Sequence, residues 1–123
     1  MKYLILIYDN PESRAIWETL PADERTEGVR AYVELNADLE ATGEVLASEP
    51  LDHASATKQV AVRDGRTVVT DGPFAEAKEE LAGFYLIDCE GLDRAIECAA
   101  RIPEAEFGRV EVRPTIDLSE IGL

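Results

Sequence analysis

The sequence predicts an α+β fold, a βαββαβ split unit with a β-hairpin inserted into it. Three observations carry that expectation. Two strand-length runs, 3–8 and 81–88, are apolar on both alternating faces. Two amphipathic helical patterns separate the strand-like segments. An Asp64-Gly65 pair joins two runs of β-branched residues, the strongest short-range hairpin signal.

The elements follow in order. In the first run Leu4 and Leu6 alternate with Tyr3, Ile5 and Ile7, so both faces of the strand are covered by something. Asp9, Asn10 and Pro11 end it. Ser13 is placed to cap a short helical turn carrying Ile16, Trp17 and Leu20. A longer helix starts with Pro21 at its first position and with Asp23 and Glu24 at the positive end of its dipole. Val29, Tyr32, Val33, Leu35 and Leu39 recur along it at helical spacing, and Gly43 stops it. Gly28 inside this helix costs about 1 kcal/mol relative to Ala, which weakens its first turns.

A short strand at 45–48 and a loop at 49–56 lead to the hairpin, 59–63 against 66–70. After the 71–80 segment comes the strand 81–88, with Phe84 and Leu86 on one face and Tyr85 and Ile87 on the other. A second helix carries Leu92, Ala95, Ile96 and Ala99 on one stripe and ends at Pro103. A last strand, 110–113, is closed by Pro114. Two helices cover one face of such a sheet. The other face is also apolar, and a second copy of the chain is its simplest cover, so a homodimer is expected. Tyr8 and Tyr85 are expected on that uncovered face.

Size and charge bound the function. A chain of 123 residues makes one domain, 1–114, with a tail at 115–123. Its 46% hydrophobic and 31% charged residues suit a folded globular protein. Twelve Lys and Arg stand against 26 Asp and Glu, a net charge of −14. That balance repels phosphate backbones and anionic lipid, so neither nucleic acid nor a membrane is expected as partner. The apolar run near Met1 is too short to span a bilayer and lacks a small-residue cleavage site, which points to the cytoplasm. Cys89 and Cys98 make neither a disulfide framework nor a metal-ligand cluster and read as free thiols. No metal or cofactor is called for.

The densest chemistry lies in 71–80. Asp71, Gly72 and Pro73 have the makings of a rigid turn, since Asp bonds backbone amides two residues on, Gly accepts positive φ and Pro fixes the next φ. Phe74 would plug into the core. Two readings stand: a structural corner, or a corner made rigid to present Asp71, Glu76 and Glu79. Carboxylates crowded together raise one another's pKa and supply a base near neutral pH, an effect Lys78 opposes. His53, the one histidine, sits in a polar loop beside Asp52 and is read there as exposed and idle.

At this point a resemblance can be drawn. The residues Met1 to Leu4 with Ile7-Tyr8, then Val62 to Gly65, Val69 to Phe74, Glu76, Lys78-Glu79, Gly83-Phe84-Tyr85, Ala99 to Pro103 and Val110 to Pro114 together resemble the YCII-related family, in its DGPF-motif branch. The resemblance runs from Met1 to about Pro114. It implies a ferredoxin-like fold assembled as a dimeric α+β barrel, in agreement with the uncovered apolar face. YCII-type proteins have been suspected of enzymatic activity through a His–Asp pair facing a cleft. The only histidine here lies in a loop, so that pair is not carried over. Genes of the DGPF branch often lie beside extracytoplasmic-function sigma factors, which implies a regulatory or stress-linked role by association.

Two functions are thus expected in competition. One is a metal-independent acid–base enzyme on a small metabolite held in the dimer barrel. Asp71 and Glu79 would be its base and acid, Glu76 and Lys78 would hold the substrate, and Tyr8, Phe74 and Tyr85 would form the walls. The other is a non-catalytic ligand- or partner-binding module, its acidic surface suited to a basic protein.

Overall fold

A computed structural model describes residues 1–73 and 79–123. Phe74, Glu76 and Lys78 therefore lie outside the described residues. The four strands β1 (Lys2–Asp9), β2 (Val45–Pro50), β5 (Glu80–Asp88) and β6 (Arg109–Pro114) form one antiparallel sheet in the order β2-β5-β1-β6. Strands β3 (Lys58–Arg63) and β4 (Arg66–Asp71) pair with each other in a separate two-stranded sheet. With helices α1 (Pro11–Thr19), α2 (Ala22–Thr42), α3 (Leu92–Ala100) and α4 (Glu104–Phe107), this is the ferredoxin-like βαββαβ order with an inserted hairpin.

Side-chain alternation decides which sheet face is covered. Register places Ile5 opposite both Tyr85 and Val112, and Tyr3 opposite Ile87. These side chains form the core with Leu35 and Leu39 of α2 and with Ala95, Cys98 and Ala99 of α3. Leu4, Leu6, Phe84 and Leu86 point the other way and remain half-buried. Two-sided apolarity is thus real, and the helices cover one side. Tyr85 corrects the expectation made for it: it is 2% exposed on the helix side, whereas Tyr8 lies on the open side, because 8 and 85 fall on opposite phases of their strands.

Several local expectations shift by a residue or a face. Asn10, not Ser13, caps α1. Asn10 Oδ1 accepts from the Ser13 amide at 2.8 Å while Ser13 Oγ accepts from the Asn10 amide at 2.9 Å, a reciprocal capping box around a buried serine. Pro21 precedes α2 rather than opening it. Gly43 ends α2 in the left-handed conformation at φ 76°. Val29, Val33, Leu92 and Ile96, expected on buried stripes, are exposed. The hairpin turns at Asp64 (φ 49°) and Gly65 (φ 74°), as its two-residue connection requires. No helix among the described residues is long and apolar enough to cross a membrane.

Candidate functional site

Between the helix-side face of the sheet and α1, α2 and α4 lies a concave cavity of about 400 Å³. Its position follows from the chain's own punctuation. Strand β1 ends at Asp9 because Asn10-Pro11 opens a helix, which leaves the Asp9 carboxyl at the strand tip, one step along from buried Ile7. Gly83 forms part of the lining where β5 runs closest to β2. A Cβ there would stand 3.1 Å from the Glu49 carbonyl oxygen, a tight approach that glycine relieves. Trp17 of α1 and Phe107 of α4 close one side, their rings stacked with centroids 6.4 Å apart and planes 26° apart. The indole lies against Gly28, where a Cβ would come within 2.7 Å of it. Gly28 thus weakens α2 in order to seat Trp17.

Five polar groups, Asp9, Arg14, Tyr32, Tyr85 and Glu104, converge on this lining. Burial pushes the Asp9 carboxyl above the ordinary carboxylate range, while the Arg14 guanidinium opposes it and Glu80 reinforces it. Burial likewise raises Glu104, and the charge of Asp9 adds to that shift. The Tyr32 hydroxyl of α2 donates to Glu104 Oε2. Burial raises Tyr85 as well, and the Ser48 and Asn36 side chains beside its hydroxyl temper the effect. Arg14 donates through Nη2 to Glu80 Oε2 at 2.9 Å, and its Nε lies 3.8 Å from Asp9 Oδ1. Among the described residues no group of three His, Cys, Asp or Glu side chains has the arrangement of a metal site.

Of the described residues singled out from sequence, Tyr85 lines the cavity, and Tyr8, Asp71 and Glu79 do not. Asp71 is exposed at the end of β4 and pairs with Lys58 across the hairpin. Glu79 Oε2 lies 2.9 Å from Arg109 Nε. The Arg109 guanidinium also stacks over the Tyr8 ring at 4.9 Å, so Arg109 gathers Tyr8 and Glu79. Asp71 and Glu79 are held by different cations, and neither lines the cavity. Sequence reasoning missed Asp9, Arg14, Tyr32 and Glu104. The legible signals were an acid at a strand end just before a helix cap, and an acid directly after Pro103. The one-turn helix that carries Glu104 is too short to leave a periodicity.

A second charged cluster is structural. Arg94 of α3 donates to both oxygens of Glu44, at 2.8 and 3.1 Å, and so ties the start of β2 to the helix layer. The pairing lowers the Glu44 pKa and raises that of Arg94.

The family model described as the YCII-related domain matches residues 1–119. An uncharacterized protein from Rhizobium meliloti (strain 1021) is 38% identical over 121 residues, which is 93% of this chain and 91% of that protein. A solved structure, the 5-chloro-2-hydroxyhydroquinone dehydrochlorinase of Burkholderia phenoliruptrix AC1100 in complex with 2,5-dihydroxybenzoquinone, has a TM-score of 0.49. It shares 16% identity with this chain, and the match covers 94% of each.

Proposed function

Taking the chain as a member of the YCII-related domain family, to which it belongs, we propose that it is an acid–base enzyme acting on a small metabolite. The substrate sits in the cavity between sheet and helices. The observation that carries this reading is a pair of carboxyl groups, Asp9 and Glu104, both raised by burial at one aromatic-walled cavity.

The two groups suit different tasks. Asp9 lies near Arg14, which favours its charged form, so it serves as the base. Its raised pKa makes it a stronger base than a solvated aspartate. Glu104 is more protected, and the charge of Asp9 disfavours a second ionisation, so it holds its proton and serves as the acid. Tyr32 fixes the orientation of that carboxyl. In one cycle Asp9 takes a proton from the substrate and Glu104 gives one, and exchange with solvent then ionises Asp9 and reprotonates Glu104 before the next turnover.

The open sheet face supports a second copy as its cover, with Leu4, Leu6, Phe84 and Leu86 at the contact. The cavity lies on the opposite side of the sheet, so the proposed site does not depend on that pairing.

The test is turnover of a small-metabolite library followed by proton NMR, comparing the parent with Asp9→Asn and Glu104→Gln. Each variant is expected to slow turnover of a substrate found with the parent by about 10²–10⁴-fold. Unchanged rates in both variants would remove these residues from the chemistry. Binding in the cavity without turnover in the parent would make the protein a ligand-binding module instead.

A further inference from the structure

We propose that Tyr85, Ser48 and Asn36 form an uncharged hydroxyl-binding pole at the end of the cavity away from Asp9. The substrate it fits is a neutral small molecule that carries a hydroxyl group at that end. The proposal rests on the acid–base reading of the cavity and names its substrate class.

The three side chains come from three elements. Tyr85 of β5 and Ser48 of β2 are directly paired in register, so both side chains leave the sheet on the same face. Asn36 comes down from α2. All three line the cavity, and Ser48 and Asn36 stand beside the Tyr85 hydroxyl. Tyr85 is the informative member. It is 2% exposed, and its ring is part of the core. Phenylalanine would supply that packing alone, so the hydroxyl on the cavity wall calls for a polar partner.

Backbone geometry separates this pole from the two carboxyl groups. Ile5 of β1 pairs with Tyr85, and Asp9 lies four residues further along the same strand, about 13 Å away. On α2, Asn36 follows Tyr32 by one turn on the same helix face, a rise of about 6 Å, and Tyr32 holds Glu104. Ile7 lies between the poles on β1, and the stacked Trp17 and Phe107 rings close one side. A ligand in this space of about 400 Å³ is therefore polar at both ends and apolar between them, and a flat ring suits its aromatic walls.

Charge and hydrogen bonding select the group at the far end. Burial keeps the Tyr85 phenol protonated. The two hydroxyls and the amide each give and accept hydrogen bonds, which matches a ligand hydroxyl that does both. An ion placed there would leave water without a counter-charge, because none of the three side chains is charged. Arg14 cannot serve, since it lies beside Asp9 and donates to Glu80 at 2.9 Å.

The experiment is isothermal titration of 4-hydroxyacetophenone, acetophenone and 4-acetylbenzoate into the whole protein, at about pH 6 so that the phenol is un-ionised. Acetophenone lacks the hydroxyl, and 4-acetylbenzoate puts a carboxylate in its place. The titrations are repeated with Tyr85→Phe and Ser48→Ala, with urea midpoints to show that each variant is folded. Ser48 is only half-buried, so Ser48→Ala carries the test where Tyr85→Phe unfolds. The parent is expected to bind 4-hydroxyacetophenone about 5–10-fold more tightly than acetophenone. Each variant is expected to narrow that preference to about twofold, with the Kd of acetophenone unchanged. A preference that persists in both variants would overturn the pole and leave the acid–base reading standing. Tightest binding of 4-acetylbenzoate would overturn the neutral class. Binding of none of the three would overturn the proposal, while the turnover comparison of Asp9→Asn and Glu104→Gln decides the acid–base reading separately.

Discussion

Two carboxyl groups set the behaviour of this protein at the scale of single residues. Asp9 and Glu104 both titrate higher in the folded state, because burial disfavours their charged forms. The folded state therefore holds protons that the unfolded chain has released. Stability falls with rising pH wherever the native state binds more protons. Their stabilising contribution is full below the ordinary carboxylate range and is lost as pH rises from that range through the raised folded values. Glu104→Gln removes one such group. Urea unfolding at about pH 4 and about pH 8 should show the variant gaining on the parent as pH rises. Parallel pH dependences would sink the assignment. Gly28→Ala tests the wall of the cavity. Alanine recovers about 1 kcal/mol of helix propensity, but its Cβ displaces the indole. Little change in melting temperature with a clear shift in Trp17 emission is the expected result. The sequence displayed each of these residues without showing that they meet, because Asp9 and Glu104 are brought together only by tertiary packing.

At the scale of elements, α1 is the part most exposed to a single change. It has nine residues, carries Arg14 and Trp17 to the cavity, and is fixed at its start by the Asn10–Ser13 capping box. Asn10→Ala should cost about 1 kcal/mol, read as an earlier urea midpoint with an unchanged slope. It should also loosen the Trp17 environment, and an unaltered midpoint would mean the box contributes nothing. Strands, the hairpin turn and the α2 stop were legible, since each has a local cause: two-sided apolarity, Asp64-Gly65, or Gly43. Which face each strand residue takes was legible only by alternation, and the expectation for Tyr85 failed there. The exposed Val29 and Val33 show the same limit on a helix. Periodicity marks an apolar stripe but does not say how wide a neighbour covers it.

Across the whole molecule, the sheet has a covered side and an uncovered one, and the latter is the contact of the proposed dimer. Leu6 sits mid-strand on the open side, away from core and cavity. Leu6→Asp should leave the fold intact and convert a dimer into monomers, as read by sedimentation. A parent that sediments as a monomer at micromolar concentration would reject the second copy as cover.

The register of β1 has a further consequence, for synthesis. This central strand bonds on one side to β5 and on the other to β6, partners that lie near residues 80–88 and 109–114. A ribosome makes β1 first and then takes on the order of ten seconds to produce both neighbours, at about 5–20 residues per second. Until residues 80–88 are made β1 has neither ladder partner, and until 109–114 are made it has only one, so the sheet closes late.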